Sequence, residues 1–172
     1  MKQMQWVIRP EHTADTIAID TLQANAFGPG RFARTAFLIR ENVPHRVDLS
    51  FVGLAGQQVA GSIRLSPIRI GQTAALLLGP LTVSPDFKNR GLGKALMNTA
   101  MEAAARAGDT TVLLVGDAPY YSPFGFQQVP FGRITLPGPV DPARLLVALL
   151  NGADMPEGPV HGGSGDAAHG PA

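Results

Sequence analysis

A glycine–proline pair inside an otherwise unbroken apolar run constrains this chain more than any other feature. Residues 74–83 read Ala-Ala-Leu-Leu-Leu-Gly-Pro-Leu-Thr-Val. Composition makes this a buried strand, yet proline cannot donate to a strand ladder. A central strand holding Gly79-Pro80 therefore needs a bulge, or a neighbour that has peeled away. A sheet splayed in this way leaves backbone N–H and C=O groups free on Leu81, Thr82 and Val83. An extended, amide-containing ligand pairs with such groups as an added strand would.

The next segment sharpens the expectation. The run Lys88-Asn89-Arg90-Gly91-Leu92-Gly93-Lys94-Ala95 leads into a helix expected over Gly91–Ala107, with Gly108 as its stop. Glycines at a helix start let the backbone approach a ligand, and the first N–H groups with the helix dipole form an anion site. Lys88, Arg90 and Lys94 add positive charge, so a phosphate or pyrophosphate is the expected guest. A Walker A loop fails twice, because Lys88 stands at its first glycine and Ala95 at its Ser/Thr. A dinucleotide fingerprint fails at Leu96, where a small residue is required. The pattern Gln/Arg-x-x-Gly-x-Gly/Ala fits, with lysine at its first place. A Gly-x-Gly pair also opens helices for purely structural reasons, so the context decides.

That context is an α/β chain. Strands are expected at Gln5–Arg9, Val47–Leu54, Val59–Ile70, Ala74–Val83, Thr110–Val115, Phe126–Val129 and around Arg133–Leu136. Helices are expected at Glu11–Phe27, Arg31–Arg40 and Gly91–Ala107, with a turn or two at Pro119–Phe124. Pro142–Leu150 reads as a short helix or packed segment. This order gives a mixed sheet with antiparallel hairpins in its middle. The body spans residues 1–152 as one domain, and Ala153–Ala172, rich in Gly, Pro and Ala, reads as a flexible tail. Two of the four histidines, His161 and His169, fall in that tail.

Composition removes several classes of function. The chain has 172 residues, 45% hydrophobic and 16% charged, which is a globular make-up. A net charge of +1 supplies no basic footprint for nucleic acid. No cysteine is present, so disulfides, thiolate metal sites and thiol nucleophiles are excluded. His12 and His45 lack metal-ligand spacing, and no metal is expected. The first residues turn polar before a signal-like core forms, and the apolar runs are too short to span a bilayer. A cytoplasmic protein is the expectation. Leu145–Leu150 would suit a homodimer contact if the monomer leaves it uncovered.

A third segment, Asp117-Ala118-Pro119-Tyr120-Tyr121-Ser122-Pro123-Phe124-Gly125-Phe126, follows the strand at Thr110–Val115. With it, the chain resembles the GNAT superfamily of N-acetyltransferases. It is similar to small bacterial members that carry a Gly-Asp-x-x-Tyr-Tyr-x-x-Phe-Gly-Phe segment. The resemblance covers about residues 46–130 well and the N-terminal helices loosely. It implies a centrally splayed, mixed sheet flanked by helices, and acetyl-CoA as co-substrate. By position, the backbone of Leu81, Thr82 and Val83 would hold pantetheine, and Lys88 through Ala95 the pyrophosphate. Tyr121 matches the tyrosine that protonates the departing thiolate in many members, which suits a phenol protonated at neutral pH. Tyr120 beside it competes for the role, and either ring also has a plain packing role.

Departures accompany the match. Val115-Gly116-Asp117-Ala118-Pro119 stands where many members place a cofactor-binding asparagine. No general base is evident. Asp117 equally suits a cap for the following turn, and Glu41, His45 and Asp48 read as surface residues. Without cysteine, direct transfer to a primary amine in a ternary complex is the economical mechanism. The acceptor is expected between Phe27–Arg31 and Phe126–Arg133, where phenylalanines outnumber acids. A non-catalytic acyl-CoA-binding module and a nucleotide-phosphate domain are the rival readings.

Overall fold

The computed structural model describes residues 6–28 and 34–163. Its strands are β1 (Val7–Pro10), β2 (Phe51–Ala55), β3 (Gln58–Ile70), β4 (Thr73–Val83), β5 (Thr111–Val115), β6 (Gln127–Gln128), β7 (Ile134–Thr135), β8 (Leu145–Leu149) and β9 (Gly158–Gly162). The helices are α1 (Thr16–Phe27), α2 (Thr35–Arg40), α3 (Leu92–Arg106) and the single turn α4 (Ala118–Tyr121). The sheet order is β1-β2-β3-β4-β5-β8-β6, with β9 added to the outer half of β3 and β7 beside β9. Among these pairs only β4–β5 and β7–β9 are parallel.

Alternation along β3 divides the core. Ile63 and Leu65 face α3, in a cluster with Leu76, Leu78, Leu96, Met97, Val112 and Leu114. Arg64, Ser66, Ile68 and Ile70 face the other way, and Ile68 and Ile70 pack with Ile39 of α2, Leu77 and Leu113. Helix α1 packs on β3 and β4. Leu92 anchors the start of α3, because its side chain fills the space that Gly53 and Gly61 leave by lacking a Cβ.

The splay expected from Gly79-Pro80 is present. Strands β4 and β5 pair only at Leu76–Val112 and Leu77–Leu113. Beyond Leu77 the edge of β4 that faced β5 has no strand partner among the described residues. On its other edge the register jumps from Leu78–Leu65 to Leu81–Ile63, so Gly79 and Pro80 bulge opposite Arg64.

Four expectations need correction. Pro142–Leu150 is no helix: Asp141 caps a 3-10 turn by accepting from the Ala143 N–H at 2.9 Å, and the chain then enters β8. Its side chains alternate between the two core clusters, a pattern that an apolar run alone does not assign to strand or helix. Within Leu145–Leu150, residues Leu145 to Ala148 are buried inside the sheet, so the uncovered apolar face that a dimer contact there required is missing from these four. The expected tail contains a strand, since β9 pairs with β3 and buries Val160. The part of that tail beyond Gly163 lies outside the described residues, as do Gln5 and residues 29–33. Val47–Leu49 forms a 3-10 turn rather than strand, held by the Ser50 hydroxyl donating to the Arg46 carbonyl at 2.7 Å. Glu11 precedes rather than begins the first helix, because its N–H donates to the Ser50 carbonyl at 2.8 Å and extends the β1–β2 ladder.

Among the described residues no helix is long and apolar enough to cross a membrane. No group of three or more His, Cys, Asp or Glu side chains converges there as a metal site.

Candidate active site

The gap between β4 and β5 opens into a cavity of about 1190 Å³. Two halves meet in it, one from each face of the sheet. On the α3 side it is lined by Leu81, Val83, Lys88, Asn89, Gly91, Leu92, Gly93 and Lys94, together with Gly116, Tyr120 and Tyr121. On the other side lie residues of α1, α2 and the segment after it, with Arg64 and Ser66 of β3.

The loop before α3 is shaped by its own backbone. Asn89 and Gly91 both take positive φ, 62° and 88°, and Gly91 is the residue from which the helix starts. A Cβ on Gly91 would meet nothing within 4 Å, so the surface there is open. The Ala95 N–H donates to the Gly91 carbonyl at 3.0 Å, which leaves the Leu92, Gly93 and Lys94 N–H groups as the orphan donors of the helix start. Lys88 and Lys94 are exposed beside them. Arg90 and Ala95 do not line the cavity, and neither does the Thr82 side chain, which is buried opposite Ser62.

Trp6 braces this loop, a role the sequence did not signal. Its indole N–H donates to the Arg90 carbonyl at 3.2 Å, and its ring meets Phe87 edge-on at 5.8 Å.

The two tyrosines diverge. The Tyr121 ring lies between Tyr120 and Phe126, with centroids 4.8 and 6.0 Å away. Burial, then the charges of Tyr120 and Asp117, push its phenol up to about 12, against a smaller opposing effect from Arg144. The hydroxyl makes no hydrogen bond among the described residues. Tyr120 is more exposed, burial raises its phenol too, and its hydroxyl stands 2.8 Å from where a Gly93 Cβ would be. Tyr120 therefore touches the helix start and Tyr121 the splay.

Asp117 takes the N-cap position of α4 without a side-chain cap. Its backbone carbonyl accepts from the N–H groups of Tyr120 and Tyr121 at 3.0 and 3.2 Å, while its carboxylate pairs with Arg144 at 3.4 Å.

The far half of the cavity differs from expectation. Phe27 lines it, but Phe124, Phe126 and Phe131 do not, and Phe32 lies outside the described residues. His45 is no bland surface residue: it lines the cavity and its Nε2 lies 3.1 Å from the buried Glu11 carboxylate. Arg64 grips the same carboxylate in a fork at 2.9 and 2.9 Å. Burial alone would raise the Glu11 pKa, but the hydrogen bonds from His45 and Arg64 and their charges hold it down to about 2. Arg34 stacks over Phe27, 4.9 Å from the ring centroid.

The chain has likenesses among known proteins. Residues 47–128 match the model of the acetyltransferase (GNAT) domain. The chain is 28% identical over 123 residues to the uncharacterized N-acetyltransferase YhbS of Escherichia coli (strain K12), covering 70% of this chain and 73% of that protein. It is 26% identical over 118 residues to the uncharacterized N-acetyltransferase YjhQ of the same organism, covering 66% of this chain and 65% of that one. The crystal structure of E. coli YhbS in complex with CoA superposes with a TM-score of 0.77 at 23% identity, over 95% of this chain and 92% of that one. A GNAT acetyltransferase from Brucella melitensis, in complex with acetyl-CoA, superposes with a TM-score of 0.67 at 26% identity, over 92% and 96%. The mixed sheet flanked by helices is the fold of these proteins.

Proposed function

We propose that this chain, whose residues 47–128 match the acetyltransferase (GNAT) domain, is an N-acetyltransferase that moves the acetyl group of acetyl-CoA directly to a primary amine. The observation that carries this reading is the splay after Leu77, which turns one segment, Leu81 to Ala95, into two grips. The unpaired edge of β4 suits the amides of pantetheine, and the donors at the start of α3 suit the pyrophosphate. The crystal structures of YhbS with CoA and of the Brucella protein with acetyl-CoA support the same guest.

Within this reading the acetyl group rests at the Gly79-Pro80 bulge, where the two halves of the cavity meet. A backbone N–H of Leu81 or a neighbour polarises the thioester carbonyl, a donor fixed in place before the reaction begins. Tyr121 protonates the departing thiolate. Its buried phenol, pushed up to about 12, is protonated at neutral pH, and its hydroxyl has no hydrogen-bond partner among the described residues. The amine arrives through the half lined by α1 and α2. With no cysteine to carry an acyl group, both substrates are bound together.

Calorimetric titration with acetyl-CoA, followed by thiol release in the presence of an amine panel, tests this function. Saturable binding with amine-dependent release is expected. Binding without transfer to any amine would assign a binding module instead, and tight ATP binding without CoA binding would overturn both.

A further inference from the structure

Three guanidinium groups converge on the amine side of the cavity, and among the described residues only one of them has a carboxylate. Arg64 is neutralised by Glu11, which also serves His45. Arg34 lies on the Phe27 ring. Arg40 is half-buried at the end of α2 and forms no ion pair among the described residues. Burial first, then the positive charges of Arg64 and Arg34, push its pKa down to about 10. Asp20 and Glu41 also line the cavity, but both are solvent-exposed and neither pairs with Arg34 or Arg40. Holding like charges together around a cavity is costly unless an anion completes the group.

Two further observations aim this charge. Nη1 of Arg40 lies 3.5 Å from where a Cβ on Gly79 would stand, so its donor fork rests on the bulge beside the transfer point. Gln23 lines the same cavity, and its side-chain nitrogen is buried with no hydrogen-bond partner among the described residues. A buried donor without an acceptor is expensive, and a carboxylate oxygen would satisfy it.

Resting on the acetyl-transfer reading, we propose that the acceptor is an amine that also bears a carboxylate, held by Arg40 with Gln23. A guanidinium fork matches a carboxylate in two parallel hydrogen bonds, which orients as well as attracts. The carboxylate docks on the far side of the bulge and presents the amine nitrogen to the thioester carbonyl. There the N–C bond forms as the C–S bond breaks. The ammonium loses two protons overall, one ending on the thiol and one released to solvent.

Matched amines test the proposal by thiol release from acetyl-CoA: L-phenylalanine against 2-phenylethylamine, and L-leucine against 3-methylbutylamine, with O-phosphoethanolamine as a phosphate arm. The acid of each pair is expected to have a kcat/KM at least about tenfold higher, ~1.4 kcal/mol. Arg40→Met should remove most of that preference while the KM for acetyl-CoA stays within about threefold, and Arg40→Lys should restore part of it. Equal use of both members, equal loss of both in Arg40→Met, or a preference for the phosphate amine overturns the assignment. A second readout needs no turnover. N-acetyl-L-phenylalanine and N-acetyl-2-phenylethylamine are titrated calorimetrically into the protein with and without CoA. The acid should bind more tightly and lose that advantage in Arg40→Met; equal binding, or none by either, overturns the proposal. Failure of acetyl-CoA to bind would sink the acetyl-transfer reading alone, because the titration without CoA still judges the anion subsite.

Discussion

Gly116 leaves the space that the ring of Tyr121 occupies. A Cβ at position 116 would overlap Cε2 of that ring and stand 3.0 Å from Cδ2. The bare backbone at the end of β5 thus sets the angle at which the phenol enters the splay.

Gly116→Ala should therefore act on catalysis through Tyr121. A fall in kcat of at least about tenfold is expected, with the KM for acetyl-CoA changed less than about threefold and circular dichroism unaltered. Tyr121→Phe, which removes only the hydroxyl, should lower kcat by about 10²–10⁴-fold. Wild-type kcat in both variants would remove Tyr121 from the chemistry.

Tyr120 sits over the helix start, so it should govern affinity rather than turnover. Tyr120→Phe and Gly93→Ala are both expected to raise the KM for acetyl-CoA, the second more because its Cβ meets the Tyr120 hydroxyl at 2.8 Å. Steady-state kinetics separate the two tyrosines. A severe loss of kcat in Tyr120→Phe with a mild effect in Tyr121→Phe would move the acid to Tyr120.

Gly91 combines positive φ with open space. Gly91→Val must strain the backbone and fill the region above the α3 donors. Acetyl-CoA affinity should drop at least about tenfold, ~1.4 kcal/mol, by calorimetry. A folded variant with unchanged affinity would take this loop out of the cofactor site.

Glu11 gives the fold an acid sensitivity. Its folded pKa of about 2 lies below the ordinary 4.5, so its stabilisation is fully present above the ordinary value. Stability should then fall as pH drops from about 4.5 towards 2, by on the order of 3 kcal/mol for this group. Glu11→Gln should flatten that part of the profile in denaturant titrations at a series of pH values.

Strand β9 should carry stability. Ending the chain after Gly152 removes the β3–β9 ladder and the buried Val160, which a chain ending after Gly163 retains. The shorter chain should be less stable by about 2 kcal/mol or more, on the scale of burying one valine. That corresponds to a melting temperature lower by roughly 4–8 °C in calorimetry. Equal melting temperatures would show that β9 adds nothing.

The parts legible in the sequence were those written in neighbouring residues. Gly79-Pro80 announced the splay, and the spacing of Gly91 and Gly93 announced the opening of α3. What was illegible depends on long-range pairing. Glu11, His45 and Arg64 are separated along the chain, and nothing local says that one carboxylate joins them. Gly158–Gly162 looks like linker because glycine and proline obscure its one buried residue, Val160, which gains value only against β3. Leu145–Leu149 is apolar on both faces, so its period is uninformative, and only the vacant edge of β5 makes it a strand. Nothing local sets Arg40 apart from the other arginines, and its lack of a carboxylate partner among the described residues became visible only in three dimensions.

The brace between Trp6 and Arg90 has a practical consequence. The chain has a single tryptophan, and its indole is hydrogen-bonded to the loop that opens α3. Its emission is therefore a built-in optical reporter of that loop. Any occupant that shifts the Arg90 carbonyl or the Phe87 ring changes the polarity and quenching around one fluorophore, with no label attached. A stopped-flow trace of tryptophan emission would then time the arrival of acetyl-CoA separately from the chemistry that follows.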